Sequence, residues 1–223
     1  MTFVAKTVGA GLWADTSETL NLGQYQFLAT AGYRGCFRYI PLAGGGGGIQ
    51  LAELQAALSV KCPDGSPFGI QFVQFSRSSG LSAQSGQEDG VAAAEYVKNL
   101  GAPNTVCVWQ DLDVGLQADC IAYSNASYAA MVSTYLASSA PGCYCEPGYP
   151  LTAEQRYSLL NLHRYWATAA NDPNRFVSNR GVQVIQLWES SKGEFSPIPG
   201  LLIDADAIQS DWFGSFPVAV VSG

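Results

Sequence analysis

Short apolar runs rich in β-branched and aromatic residues alternate with helix-type segments along almost the whole chain. Strands are expected over residues 8–15, 33–40, 68–75, 105–113, 142–146, 164–168, 182–188 and 201–206. Helices are expected between most of them. The one over 22–31 stops at Gly32, the one over 88–100 stops at Gly101-Ala-Pro103, and another starts with Thr152 as N-cap. Strands separated by helices are parallel strands, because a parallel crossover needs a helix-length connection. Eight such units in 223 residues predict an α/β fold, a single (β/α)8 barrel of the TIM type. An open doubly wound sheet is the alternative, but no Gly-rich dinucleotide fingerprint follows the first strand. The last crossover is irregular, since residues 193–200 offer no helix. The barrel is expected over residues 1–213, followed by an apolar C-terminal extension over 214–223.

Charge is sparse. Asp, Glu, Lys and Arg make up 13% of the chain, about half of the usual ~25%. Eleven Lys and Arg against 18 Asp and Glu give a net charge of −7, with no basic cluster. A nucleic-acid partner is therefore not expected, because neutralising phosphates needs clustered Lys and Arg. No apolar run approaches the ~18 residues of a membrane span, so no membrane insertion is expected. The N-terminus lacks a basic start followed by a long apolar stretch, so no signal peptide is expected. The expected origin is the cytoplasm, with virion association or release without a cleavable signal as routes out. The six cysteines fall mostly in apolar runs and read as reduced core residues. Cys143 and Cys145 with the single His163 are too few for a zinc site, and Gly44 to Gly48 lacks the Lys-Ser/Thr of a phosphate loop. No metal and no cofactor are expected.

Acids recur at the ends of the strand candidates: Asp15, Asp111 and Asp113, Glu146, Glu189, and Asp204 and Asp206. Residues two apart on a strand share a face, which pairs Asp111 with Asp113 and Asp204 with Asp206. A parallel barrel would gather these ends on one rim, where barrel enzymes carry their chemistry. Crowded carboxylates raise one another's pKa values, and a raised acid beside an ionised one is the requirement of glycoside hydrolysis. Arg38 lies within the second strand and, if it points inward, must pair with a carboxylate. Aromatic residues in strands, Trp13, Trp109, Trp188 and Tyr39, read as core, and one or two near the mouth could stack on sugar rings.

Six segments in order carry a resemblance. They are Gly11-Leu-Trp-Ala-Asp15 with Ala31 to Ile40, Gly86 to Pro103, Val108-Trp-Gln-Asp-Leu-Asp113, Gly142-Cys-Tyr-Cys145, Ile185-Gln-Leu-Trp188 and Ile203-Asp-Ala-Asp206. Together, over about residues 8–213, they resemble the glycoside-hydrolase-like TIM barrels, a family of largely unassigned function similar to the family 25 muramidases. The resemblance implies that Asp15, Asp111, Asp113 and Asp204 line a muramidase-like mouth. Asp111-Leu-Asp113 departs from the Asp-x-Glu of family 25 by one methylene, Asp206 stands where Asn is common, and Glu146 stands where Gly is common.

Two readings follow. The first is a muramidase-like glycoside hydrolase acting on peptidoglycan or a related glycan. Asp113 is then the proton donor, Asp111 and Asp204 assist, and Asp15 positions the sugar. Arg38, Tyr39, Glu146, Trp188 and Asp206 are the substrate-binding candidates. The second is a catalytically inactive relative that binds glycan or serves as an assembly subunit, for example of a phage particle, with the C-terminal extension as a route to a homo-oligomer.

Overall fold

In a computed structural model the chain is described over residues 2–75, 77, 79–112, 117–145, 151–167, 180–188 and 196–223, with only the backbone of Leu112, Cys145 and Trp188. The elements follow as β1 (Phe3–Thr7), β2 (Gly11–Thr16), α1 (Leu22–Thr30), β3 (Tyr33–Ile40), α2 (Leu51–Leu58), β4 (Gly69–Gln74), α3 (Ala83–Asn99), β5 (Val108–Leu112), α4 (Gln117–Thr134), β6 (Pro141–Cys145), α5 (Ala153–Leu159), β7 (Tyr165–Ala167), β8 (Val184–Trp188), β9 (Asp204–Ile208) and β10 (Val218–Ser222).

Local chemistry sets several boundaries. Asn21 and Gln24 cap α1 reciprocally, and Thr152 and Gln155 do the same for α5. Gly32 follows α1 at φ 98° and Gly101 follows α3 just past its end at φ 76°, a backbone region where a Cβ is strained.

Strands β4, β3, β2, β9, β8, β7, β6 and β5 pair in that order, and β4 pairs back to β5, which closes an eight-stranded barrel. The open sheet is thereby excluded. Strands β2 to β8 run parallel, but β9 is antiparallel to both of its neighbours, β2 and β8. The uniformly parallel ring expected from the sequence is corrected at this one strand. No helix occurs over residues 196–203, directly before β9. An antiparallel neighbour needs no crossover helix, and β9 pairs with β8 in that sense. Reversal has a consequence for the site: Asp204 opens its strand instead of closing it, and so still arrives at the rim where the parallel strands end.

Period-two alternation sorts side chains to the two faces of the wall. Trp13, Phe37, Val73, Trp109, Tyr144, Trp166 and Val184 fill the lumen. Cys36, Ile40, Ile70, Phe72 and Val108 pack outward beneath the helices. Two strands, β1 and β10, lie outside the expected set. All five residues of β10 pair with β1, and Val220 lies opposite Ile70 of β4. Pairing of β4 with β5 begins only at Phe72 and Val108. Below that point the Cys107 amide donates to the Val218 carbonyl at 2.8 Å, so β10 occupies the seam. Cys36, Cys62, Cys107, Cys120 and Cys143 are buried, and Cys36, Cys62 and Cys107 are free thiols.

Candidate active site

The lumen is layered. Its floor is aromatic: Phe37 lies 4.3 Å from Trp166 and 5.3 Å from Trp13 between ring centroids, and Trp109 lies 5.8 Å from Trp166. Three of these floor residues are followed, two positions toward the rim, by a polar one: Trp13 by Asp15, Phe37 by Tyr39, Trp109 by Asp111. The reversed β9 contributes the same two layers in the opposite order. Asp204 is in register with Asp15, and Asp206 with Trp13. Directly opposed antiparallel residues hold their Cβ atoms about 4.5–5.5 Å apart.

Asp15, Asp111 and Asp204 thus come from β2, β5 and β9 to one ring, with Tyr39, Tyr144 and Gln186 between them. The Tyr144 hydroxyl donates to Gln186 Oε1 at 3.3 Å, and Gln186 Nε2 donates to Asp204 Oδ2 at 3.2 Å. Tyr39 shows how closely the ring converges. Burial pushes its hydroxyl well above the ordinary tyrosine range, and the charges of Asp15, Asp111, Tyr144 and Asp204 push it further. Asp15 is 5% exposed, and its Oδ1 has no hydrogen-bond partner among the described residues. Burial holds its carboxyl well above the usual range, and Asp204 adds to the rise; Arg38 and the Thr16 amide offset part of it. A carboxylic acid that keeps its proton beside further carboxyl groups can donate a hydrogen bond to a ligand oxygen, which a carboxylate cannot.

Other expected site residues fall elsewhere. Arg38 is not at the mouth. Its strand parity sends it outward, where it is 1% exposed and pairs with Glu53 of α2 at 2.9 Å while also donating to the Thr16 carbonyl. Asp206 is one layer too deep to meet a ligand at the rim: it is fully buried and accepts from Trp166 Nε1 at 3.0 Å. Asp113 and Glu146 lie outside the described residues, as does the side chain of Trp188. Trp166, Tyr144 and Gln186 were not anticipated. The sequence held a weak signal for two of them, since Tyr144 sits between two cysteines and Gln186 interrupts an apolar strand on the same face as Val184. Among the described residues no group of three His, Cys, Asp or Glu is placed to hold a metal ion.

No family model matches the sequence, and no curated protein does. Solved structures do. The Tat-secreted protein Rv2525c of Mycobacterium tuberculosis, solved with L-tartrate, aligns with a TM-score of 0.64 at 17% identity, covering 92% of this chain and 98% of its own. The modular autolysin LytC of Streptococcus pneumoniae aligns at 0.60 and 14% identity, over 89% of this chain and 46% of its own. GHIP, a glycosyl hydrolase 25 of Streptococcus pneumoniae, aligns at 0.56 and 14% identity, over 89% and 87%. The fold is that of the family 25 glycoside hydrolases. In this family-25-like barrel the acid ring stands where the parallel strands end, the face at which barrel folds hold their active sites.

Proposed function

We propose that the protein is a muramidase-like glycoside hydrolase acting on peptidoglycan or a related glycan. One observation carries the reading: Asp15, Asp111 and Asp204, from the beginning, middle and end of the chain, converge around Tyr39 at the mouth of a closed barrel. The fold adds support, since LytC has also been solved with a synthetic peptidoglycan ligand.

Cleaving a glycosidic bond requires a proton on the departing oxygen and negative charge near the developing oxocarbenium ion. Asp113, two residues beyond Asp111 in the sequence, is the assigned proton donor. Asp111 and Asp204 supply the opposing carboxyl groups. Asp15, whose burial favours its protonated form, donates a hydrogen bond to a sugar oxygen and so fixes the ring. Clearing of purified peptidoglycan tests the assignment. Wild type is expected to lower the turbidity, and Asp113→Asn and Asp111→Asn to do so roughly 10²–10⁴-fold more slowly. Background clearing by all three overturns it.

Glycan binding without cleavage is favoured by a different feature, the shortened Asp111-Leu-Asp113 pair, which leaves the donor one methylene further from its target than a glutamate would. Its signature is co-sedimentation with peptidoglycan by wild type and Asp113→Asn alike, with no clearing by either.

A further inference from the structure

Asp206 is a carboxyl group in the barrel that the proposed chemistry does not use. It lies directly beneath the acid ring, paired in register with Trp13 on β2 and with Gln186 on β8. Its Oδ1 accepts one hydrogen bond, from the neutral Trp166 indole, and its Oδ2 has no hydrogen-bond partner among the described residues. Among the described residues around it, strand β2 presents Trp13 and Asp15, β9 presents Asp204 two residues away, β8 presents Gln186, and β7 presents Trp166. On β3, the titratable Tyr33 and Cys36 feel its charge. None of these is a cation, and Arg38 lies behind the wall in its pair with Glu53.

We infer that Asp206 is a neutral carboxylic acid of the lumen floor, a positioning residue that holds Trp166 while keeping negative charge from forming below the Asp15–Asp204 pair. A fully buried carboxylate with a single neutral donor is far costlier than the protonated acid. Three carboxyl groups within one register step ionise one after another as pH rises, and the least solvated retains its proton longest. Exposure ranks them: 0% for Asp206, 5% for Asp15, with Asp204 partly open to solvent. Burial raises the Asp206 carboxyl well above the usual range, with Asp15 and Asp204 adding to it and the Trp166 bond offsetting part. The ring above it therefore titrates over a floor that stays uncharged.

The test is Asp206→Asn, which replaces a neutral acid by a neutral amide of the same shape, and it needs no glycan, so its outcome is separate from that of the hydrolase reading. A folded-state pKa above the unfolded value gives stability that is complete in acid and is lost as pH rises toward the folded pKa. Wild type therefore loses stability over that window through both Asp206 and Asp15, and the Asn variant through Asp15 without the Asp206 contribution. The Tm gap in favour of Asp206→Asn is expected to widen by about 3–5 °C per pH unit above the ordinary carboxylate range, then to level off. In wild type, the indole N–H resonance of Trp166 is expected to remain constant through the ordinary carboxylate range and to move only at higher pH, when its acceptor ionises. Parallel Tm profiles, or a Trp166 resonance that moves with a carboxylate-like midpoint, overturn the inference. The second measurement uses wild type alone and decides the matter even if the variant does not fold.

Discussion

Two buried charges in this barrel, Arg38 and Asp89, are held in ion pairs. Arg38 is enclosed, but Glu53 answers it, and Glu53 in turn accepts from the Leu20 amide at 3.0 Å and the Tyr25 hydroxyl at 2.9 Å. Removing one member strands the other. Glu53→Gln is expected to lower unfolding stability by about 3–5 kcal/mol, and the double substitution Arg38→Met, Glu53→Leu by much less, because a buried pair replaced by apolar groups leaves no uncompensated charge. Urea unfolding of the three proteins measures both. Equal losses in the single and double variants would show that packing, not charge, holds this position. The sequence called for a carboxylate beside Arg38 on the condition that it pointed into the barrel, and it points outward. That the carboxylate would come from a helix on the outer face, and not from the mouth, depended on strand parity.

Among the elements, α3 and α4 show how a helix pair can be set by the absence of side chains. A Cβ on Gly86 would come within 2.3 Å of the Tyr123 carbonyl oxygen, and one on Gly90 within 2.4 Å of that of Ser127. Between them Asp89 takes a bidentate ion pair from Arg77 at 2.7 and 2.8 Å, the Tyr123 hydroxyl at 2.8 Å and the Ala43 amide at 3.0 Å. One buried carboxylate thus ties α4 and the segments after β3 and β4 to α3. Replacing a glycine by alanine inside a helix ordinarily stabilises it by roughly 0.5–1 kcal/mol. Gly90→Ala is expected to do the opposite, destabilising by about 1–3 kcal/mol, because the helices must move apart to admit the methyl group. A thermal melt that rises instead would mean that the α3–α4 contact yields easily. The sequence marked α3 and its stop at Gly101 but placed its start at residue 88, whereas it begins at Ala83, and the meaning of these two glycines came only from the facing carbonyls.

At the scale of the whole molecule, strands β1 and β10 cover the seam where β4 and β5 close the barrel. Val220 of β10 is fully buried beside β4, and β1 covers β10 along its full length. Deleting residues 216–223 would uncover Ile70 and the Cys107 backbone and leave β1 without a partner. Loss of cooperative unfolding, or a fall in Tm of at least several degrees, is the expected result, read by calorimetry; an unchanged melt would show that the eight-stranded ring is stable without its added strands. The amino-acid sequence by itself determined most of the elements, the barrel class and three acids that meet at one rim, Asp15, Asp111 and Asp204, because helix caps, turn glycines and period-two alternation act over a few residues. It did not determine that β9 runs backward, that Asp206 lies beneath the ring and Arg38 behind the wall, or that the C-terminal run is a strand of the same fold. Those outcomes depend on which strand meets which and in what register, and pairing between residues as distant as Asp15 and Asp204 is decided only when the whole barrel closes.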